Sequence, residues 1–163
     1  QALDLGAGGL RDTKYLLYKG FDVTAVDAEP KSVELARELK CARLWPVELR
    51  AVQCRFEEFS FSRNEYGLIN AQASLPFTHP WYFERMFKRL YGSLRENGVF
   101  VGQFFGNRDS RCSNPRMTFL SWRELFRICG PLKIRSFSVR EYDAENFSGE
   151  PTHRHVFDVI AHK

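Results

Sequence analysis

The stretch Ala2-Leu3-Asp4-Leu5-Gly6-Ala7-Gly8-Gly9-Leu10-Arg11-Asp12 decides the fold. Ala2 to Leu5 is short and mostly apolar, which suits a buried strand. Gly6, Ala7 and Gly8 follow, and small residues let the backbone turn tightly and approach another group closely. Leu10, Leu16 and Leu17, with Thr13 on the same side, predict a helix over Leu10 to Lys19. Gly20 stands where such a helix ends. Phe21 to Val26 then reads as a second strand, delivering Asp27, with Ala28 beside it, to its end.

The alternation continues outward. Pro30 opens a helix on which Val33, Ala36 and Leu39 recur at helical spacing. A short third strand covers Arg50 to Cys54, with a start that could reach Leu49. A fourth is Gly67 to Ala71. Pro80 starts a helix carrying Phe83, Phe87, Leu90 and Leu94. Asn97-Gly98 turns into an apolar strand, Val99 to Phe105. Ser121 and Glu124 form a capping-box pattern, and Gly130-Pro131 stops that helix. Leu132 to Val139 and Arg154 to His162 are β-rich with no helix between them. They are expected to pair antiparallel, with Tyr142 to His153 as the connection and Asp143 to Thr152 as a mobile loop. The expected architecture is α/β: a Rossmann-like, doubly wound, mostly parallel sheet with an antiparallel C-terminal strand pair.

The chain has 163 residues, enough for a single domain spanning 1–163 with its own core. Its 15 Phe predict an aromatic-rich core. The net charge of +4 is spread along the chain without a basic stripe, which argues against a nucleic-acid partner. Cys41, Cys54, Cys112 and Cys129 have no zinc-type spacing and form no disulfide framework. Cys54 and Cys129 read as buried thiols. No signal peptide or apolar run of membrane-spanning length is visible, so a cytoplasmic location is expected. The chain opens at Gln1, already in a strand, which suggests that an N-terminal segment precedes it.

A strand, a glycine turn, a helix and a strand-end carboxylate about 20 residues on form a nucleotide-cofactor site in open α/β sheets. The helix N-terminus offers free N–H groups, and Asp27 accepts from ribose hydroxyls. A dinucleotide fingerprint would place a third glycine at position 11, where Arg11 stands. Asp4 beside a pyrophosphate would be a close like charge. Beside the ammonium or sulfonium of S-adenosylmethionine it is favourable. Charge therefore favours the methyl donor over a nicotinamide cofactor.

These two segments, with Tyr15-Leu16-Leu17 and Gly20-Phe21-Asp22-Val23, resemble the first motifs of class I S-adenosylmethionine-dependent methyltransferases. The pattern is similar to the small tellurite-resistance and thiopurine-type branch. Tyr66 to Phe77 and Asn97 to Phe100 resemble the fourth-strand motif of that branch and the turn before its fifth strand. Leu10 departs from the pattern where the family usually carries glycine, and Gly67 where it often carries Asp. The resemblance implies that Asp4, Gly6, Ala7 and Gly8 face the amino-acid part of the cofactor and that Asp27 holds the ribose beside Ala28. It implies that Phe56 packs on the adenine with Glu57 near its amino group, and that Asn70 and Ala71 line the site near the methyl group. Ordinary core packing is the equal alternative for Phe56.

Methyl transfer needs a nucleophile placed against the methyl group, and a base only if a proton must leave. The sequence contains no catalytic dyad. His79 is a weak candidate base and equally a helix-start residue. Arg108 is a weak candidate for an anionic group and equally a salt-bridge partner of Asp109. His153 and His155 share a strand face, but without a third ligand no metal site is expected. With no Asn/Asp-Pro-Pro-Tyr/Phe sequence after the fourth strand, a small-molecule acceptor is expected. The alternatives are a nicotinamide-dependent oxidoreductase and a non-catalytic cofactor-binding protein on the same fold.

Overall fold

The computed structural model describes residues 1–42, 44–146 and 148–163. In chain order the elements are β1 (Ala2–Leu5), α1 (Arg11–Tyr18), β2 (Val23–Asp27), α2 (Pro30–Cys41), β3 (Leu49–Gln53) and β4 (Tyr66–Ala71). A short 3-10 turn (Leu75–Phe77) leads to α3 (Pro80–Ser93). Then come β5 (Leu94–Gly106), β6 (Phe119–Leu120), α4 (Trp122–Cys129), β7 (Lys133–Glu145) and β8 (Pro151–His162). The sheet runs β3-β2-β1-β4-β5-β8-β7, with β6 alongside the end of β5. The first five strands pair in parallel, whereas β8 pairs antiparallel with both β5 and β7. The predicted doubly wound sheet with an antiparallel C-terminal pair is therefore present.

Side chains alternate across β1 and sort the core into two layers. Leu3 and Leu5 join Phe83, Phe87 and Leu90 of α3 and Leu125 and Ile128 of α4 on one face. Ala2 joins Leu16 and Leu17 of α1, Ala36 of α2 and Val23 of β2 on the other. The aromatic content collects in the first layer, where the Phe87 ring meets that of Phe100 edge-on at 5.5 Å between centroids.

Three sequence expectations need correction. The strand containing Val99 begins at Leu94, and the Asn97-Gly98 turn is an irregularity inside it: Tyr66 pairs with Leu94, but Leu68 pairs with Val99. Asn97 takes the left-handed conformation there (φ 62°). The Tyr142-to-His153 segment is not a loop. Strands β7 and β8 stay in register out to Glu145 opposite Pro151, and the reversal between them is closed by the Asn146 side chain accepting from the Ser148 and Glu150 amides. Cys54 lies just past β3 and is only half-buried, whereas Cys129 is buried as expected.

Candidate functional site

The sheet order reverses between β1 and β4, so the loops leaving their carboxyl ends diverge and open a crevice, the usual ligand position in such sheets. Gly6 turns the chain at φ 89°, a left-handed backbone that side chains avoid. A Cβ there would stand 2.2 Å from the Ser74 Cβ. The loop after β4 thus closes on this turn only because Gly6 has no side chain, and Ser74 Oγ fastens it by donating to the Leu5 carbonyl.

Leu10 sits at the N-cap of α1 with φ 63° and ψ 22°. This is the left-handed backbone that explains why glycine is usual at this place in the resembled pattern. Leu carries a penalty of about 1–2 kcal/mol for it. Burial to 1% exposure against the α1 layer offsets this, since a buried Leu contributes about 1.5–3 kcal/mol.

Asp27 receives two backbone donors. The Gly8 amide donates to Oδ2 at 2.7 Å and the Glu29 amide to Oδ1 at 2.9 Å. Each carboxylate oxygen keeps a further lone pair for another donor. Asp27, Ala28, Glu29, Arg55, Phe56, Glu57, Gly6, Ala73, Ser74 and Phe77 line a cleft of about 390 Å³, within the range of small-molecule sites. Phe56, besides lining this cleft, packs on the core as one of its two expected roles requires.

A second cleft, of about 300 Å³, adjoins the first at Gly6 and Ala73 and is lined by Asp4, Ala7, Gly8, Gly9, Arg11, Asp12, Gln72 and Gln103. Asp4 is 2% exposed. Its carboxylate accepts from Thr13 Oγ1 and, at 2.9 Å, from Asn70 Nδ2. The same Asn70 nitrogen donates to Asp12 at 3.3 Å, so one amide spans two carboxylates. Burial pushes the Asp4 pKa up against these hydrogen bonds, while the Arg11 hydrogen bond holds that of Asp12 down. This end of the crevice is acidic, which suits a cation and repels a pyrophosphate.

The remaining candidates are distributed as follows. Ala71 is fully buried in the core and lines neither cleft; Ala73 and Ser74 form that wall instead. His79 caps α3, its Nδ1 accepting from the Trp81 amide at 3.2 Å. Arg108 does not pair with Asp109. It forms a two-pronged bridge to Glu141 of β7, at 2.8 and 2.6 Å, and contacts His155. Asp109 is buried and taken by Arg111. His153 pairs with Asp143 and Glu141, and no metal-holding cluster occurs among the described residues.

Sequence reasoning missed Gln103, whose Oε1 accepts from the Ala73 amide at 3.1 Å while its Nε2 donates to Asp158. The signal was a lone amide in an apolar strand. Phe77, 59% exposed at the cleft mouth, was legible as an apolar residue outside any strand or helix pattern.

No helix among the described residues is long and apolar enough to cross a membrane. No curated protein matches the chain by sequence. Solved structures share its fold. A Methanosarcina mazei protein described as an S-adenosylmethionine-dependent methyltransferase superposes with a TM-score of 0.76 at 18% identity, over 99% of this chain and 91% of that one. TehB from Haemophilus influenzae gives 0.83 at 17% identity, over 99% of this chain and 57% of TehB. The Burkholderia thailandensis 1,6-didemethyltoxoflavin-N1-methyltransferase, solved with 1,6-didemethyltoxoflavin and S-adenosylhomocysteine, gives 0.65 at 23% identity, over 99% and 70%. The methyltransferase-domain family matches residues 2–98, the span that holds the glycine turn, Asp27 and the loop after β4, and the chain belongs to that family.

Proposed function

We propose that the protein is an S-adenosylmethionine-dependent methyltransferase acting on a small-molecule acceptor. The observation that carries this reading is the pair of joined clefts. One is walled by Phe56 and Phe77 with Asp27 at its edge, and the other is acidic through Asp4 and Asp12. The first fits an adenosine: flat apolar walls for the base, and a backbone-oriented carboxylate with lone pairs left for ribose hydroxyls. The second fits an ammonium and a sulfonium. S-adenosylmethionine supplies an electrophilic methyl group on sulfur.

The chain's own residues bind and orient. Gly6 and Gly8 turn the backbone tightly along the crevice, their amides spent on the Val26 carbonyl and the Asp27 carboxylate. Asn70 holds Asp4 and Asp12 together in spite of their charge. Gln103 fixes Ala73, where the two clefts meet, in its left-handed conformation (φ 50°). His79 Nδ1 is engaged in its helix cap and Arg108 in its bridge to Glu141, so placement of the acceptor, rather than a resident base, is the main source of rate.

The test is turnover. The full chain is incubated with S-adenosylmethionine and a panel of thiols, selenite, tellurite, phenols and carboxylates, and S-adenosylhomocysteine is measured. Acceptor-dependent product supports the reading. S-adenosylmethionine binding without product from any of them points to a cofactor-binding protein, and binding of NADH in its place points to an oxidoreductase.

A further inference from the structure

A third cavity, of about 290 Å³, lies past Phe77 and is lined by Arg55, Glu57, Phe77, His79 and Arg116. It shares Arg55, Glu57 and Phe77 with the adenosine-type cleft, so the two adjoin along these residues. We propose that this cavity anchors the acceptor through an oxyanion, a carboxylate or phosphate carried on a small apolar body; this rests on the methyltransferase reading above.

Charge comes first. Two arginines and one glutamate line the cavity, and neither Arg55 nor Arg116 forms an ion pair among the described residues. A planar guanidinium presents paired donors that match carboxylate and phosphate geometry. Arg108, the arginine singled out by sequence, is already neutralised by Glu141 and lines none of these cavities.

His79 adds a donor. Its Nδ1 accepts the Trp81 amide, so in the neutral ring the proton sits on Nε2. Nε2 therefore donates whether the ring is neutral or charged, which suits an anion and not a proton acceptor.

Arg116 is also held in place. Asn114 Oδ1 accepts from the Arg116 amide at 3.0 Å. Two residues on, Thr118 ties the loop to the segment after β4, its amide donating to Pro76 O at 2.8 Å and its Oγ1 to Thr78 O at 2.7 Å. The same segment carries Phe77, whose exposed ring supplies the apolar wall.

The test is calorimetry on the full chain. S-adenosylhomocysteine is titrated first. Benzoate, phenyl phosphate and benzyl alcohol are then titrated into the loaded and the free protein. The expected result is binding of benzoate or phenyl phosphate but not benzyl alcohol, the tighter of the two anions naming the headgroup. Arg116→Gln should weaken that binding by about tenfold or more, and Arg116→Lys by less, because the fork is lost but the charge kept. S-adenosylhomocysteine affinity should be the same in all three proteins. Equal binding of benzyl alcohol, no anion binding to loaded protein, or anion binding undiminished in Arg116→Gln overturns the proposal. Failure of S-adenosylhomocysteine alone to bind overturns the methyltransferase reading instead, and a benzoate site that persists without it is then no acceptor site.

Discussion

The Gly8 amide donates to Asp27 Oδ2 at 2.7 Å, which ties the turn after β1 to the end of β2. One carboxylate thus shapes the glycine loop and, with its spare lone pairs, offers the cleft its acceptor.

Asp27→Ala removes both functions at once. Hydrogen bonds to a charged group contribute about 1.5–3 kcal/mol, so affinity for S-adenosylmethionine should fall about 10- to 100-fold. Equilibrium dialysis with labelled S-adenosylmethionine measures this. Unchanged retention would show that Asp27 only shapes the loop.

Gly6→Ala and Gly8→Ala separate crowding from backbone strain. Both glycines have positive φ, but an added Cβ meets Ser74 at 2.2 Å from Gly6 and nothing nearer than 3.9 Å from Gly8. Gly8→Ala should cost the backbone penalty alone, about 1–2 kcal/mol. Gly6→Ala should cost distinctly more and lower the melting temperature further. Equal melting temperatures in thermal denaturation would remove the packing argument.

Asp4→Asn should cost no stability at pH 7. Burial raises the Asp4 pKa above its ordinary value of 3.8, so the folded state holds this proton more tightly than the unfolded chain. The ionised form therefore lowers stability at neutral pH, and the loss disappears as pH falls below 3.8. An amide still accepts from Asn70 through its Oδ1, and its Nδ2 donates to the Thr13 hydroxyl once that hydroxyl rotates, without the charge. Denaturant titration should give equal or greater stability, with S-adenosylmethionine binding weakened. A clear loss of stability would mean the carboxylate itself holds the network.

The His153 and His155 pKa values should be displaced in opposite directions from the ordinary imidazole value. Asp143, and then Glu141, raise the His153 pKa above 6.5, whereas burial, and then Arg108, lower that of His155. Glu141 itself is held down to about 2 by Arg108 and His153. The stability from His153 is fully present below pH 6.5 and is lost as pH rises through its raised pKa. NMR titration of the imidazoles in wild type and in His153→Ala assigns the two curves. Coincident midpoints would contradict the hairpin geometry.

The doubly wound, mostly parallel sheet and the position of the crevice were readable because local chemistry specifies them. Small residues at Gly6 to Gly8, apolar periodicity in α1 to α3 and Asp27 at a strand end each act over a few residues. Strand β7 was under-read because it is an edge strand whose outer half, Arg140 to Glu145, is mostly charged and mostly exposed, as edges that resist mispairing tend to be. Arg108 was misassigned because its partner, Glu141, lies on a strand distant in sequence. Arg55 and Arg116 gave no signal at all: they lie on the loops after β3 and β5 and line one cavity only once the fold brings those loops together.

Calorimetry of the full chain with S-adenosylhomocysteine and NADH, run side by side, tests the central claim most directly. The account predicts saturable binding of S-adenosylhomocysteine, abolished or sharply weakened by Asp27→Ala, and none of NADH. Binding of NADH without S-adenosylhomocysteine would contradict it.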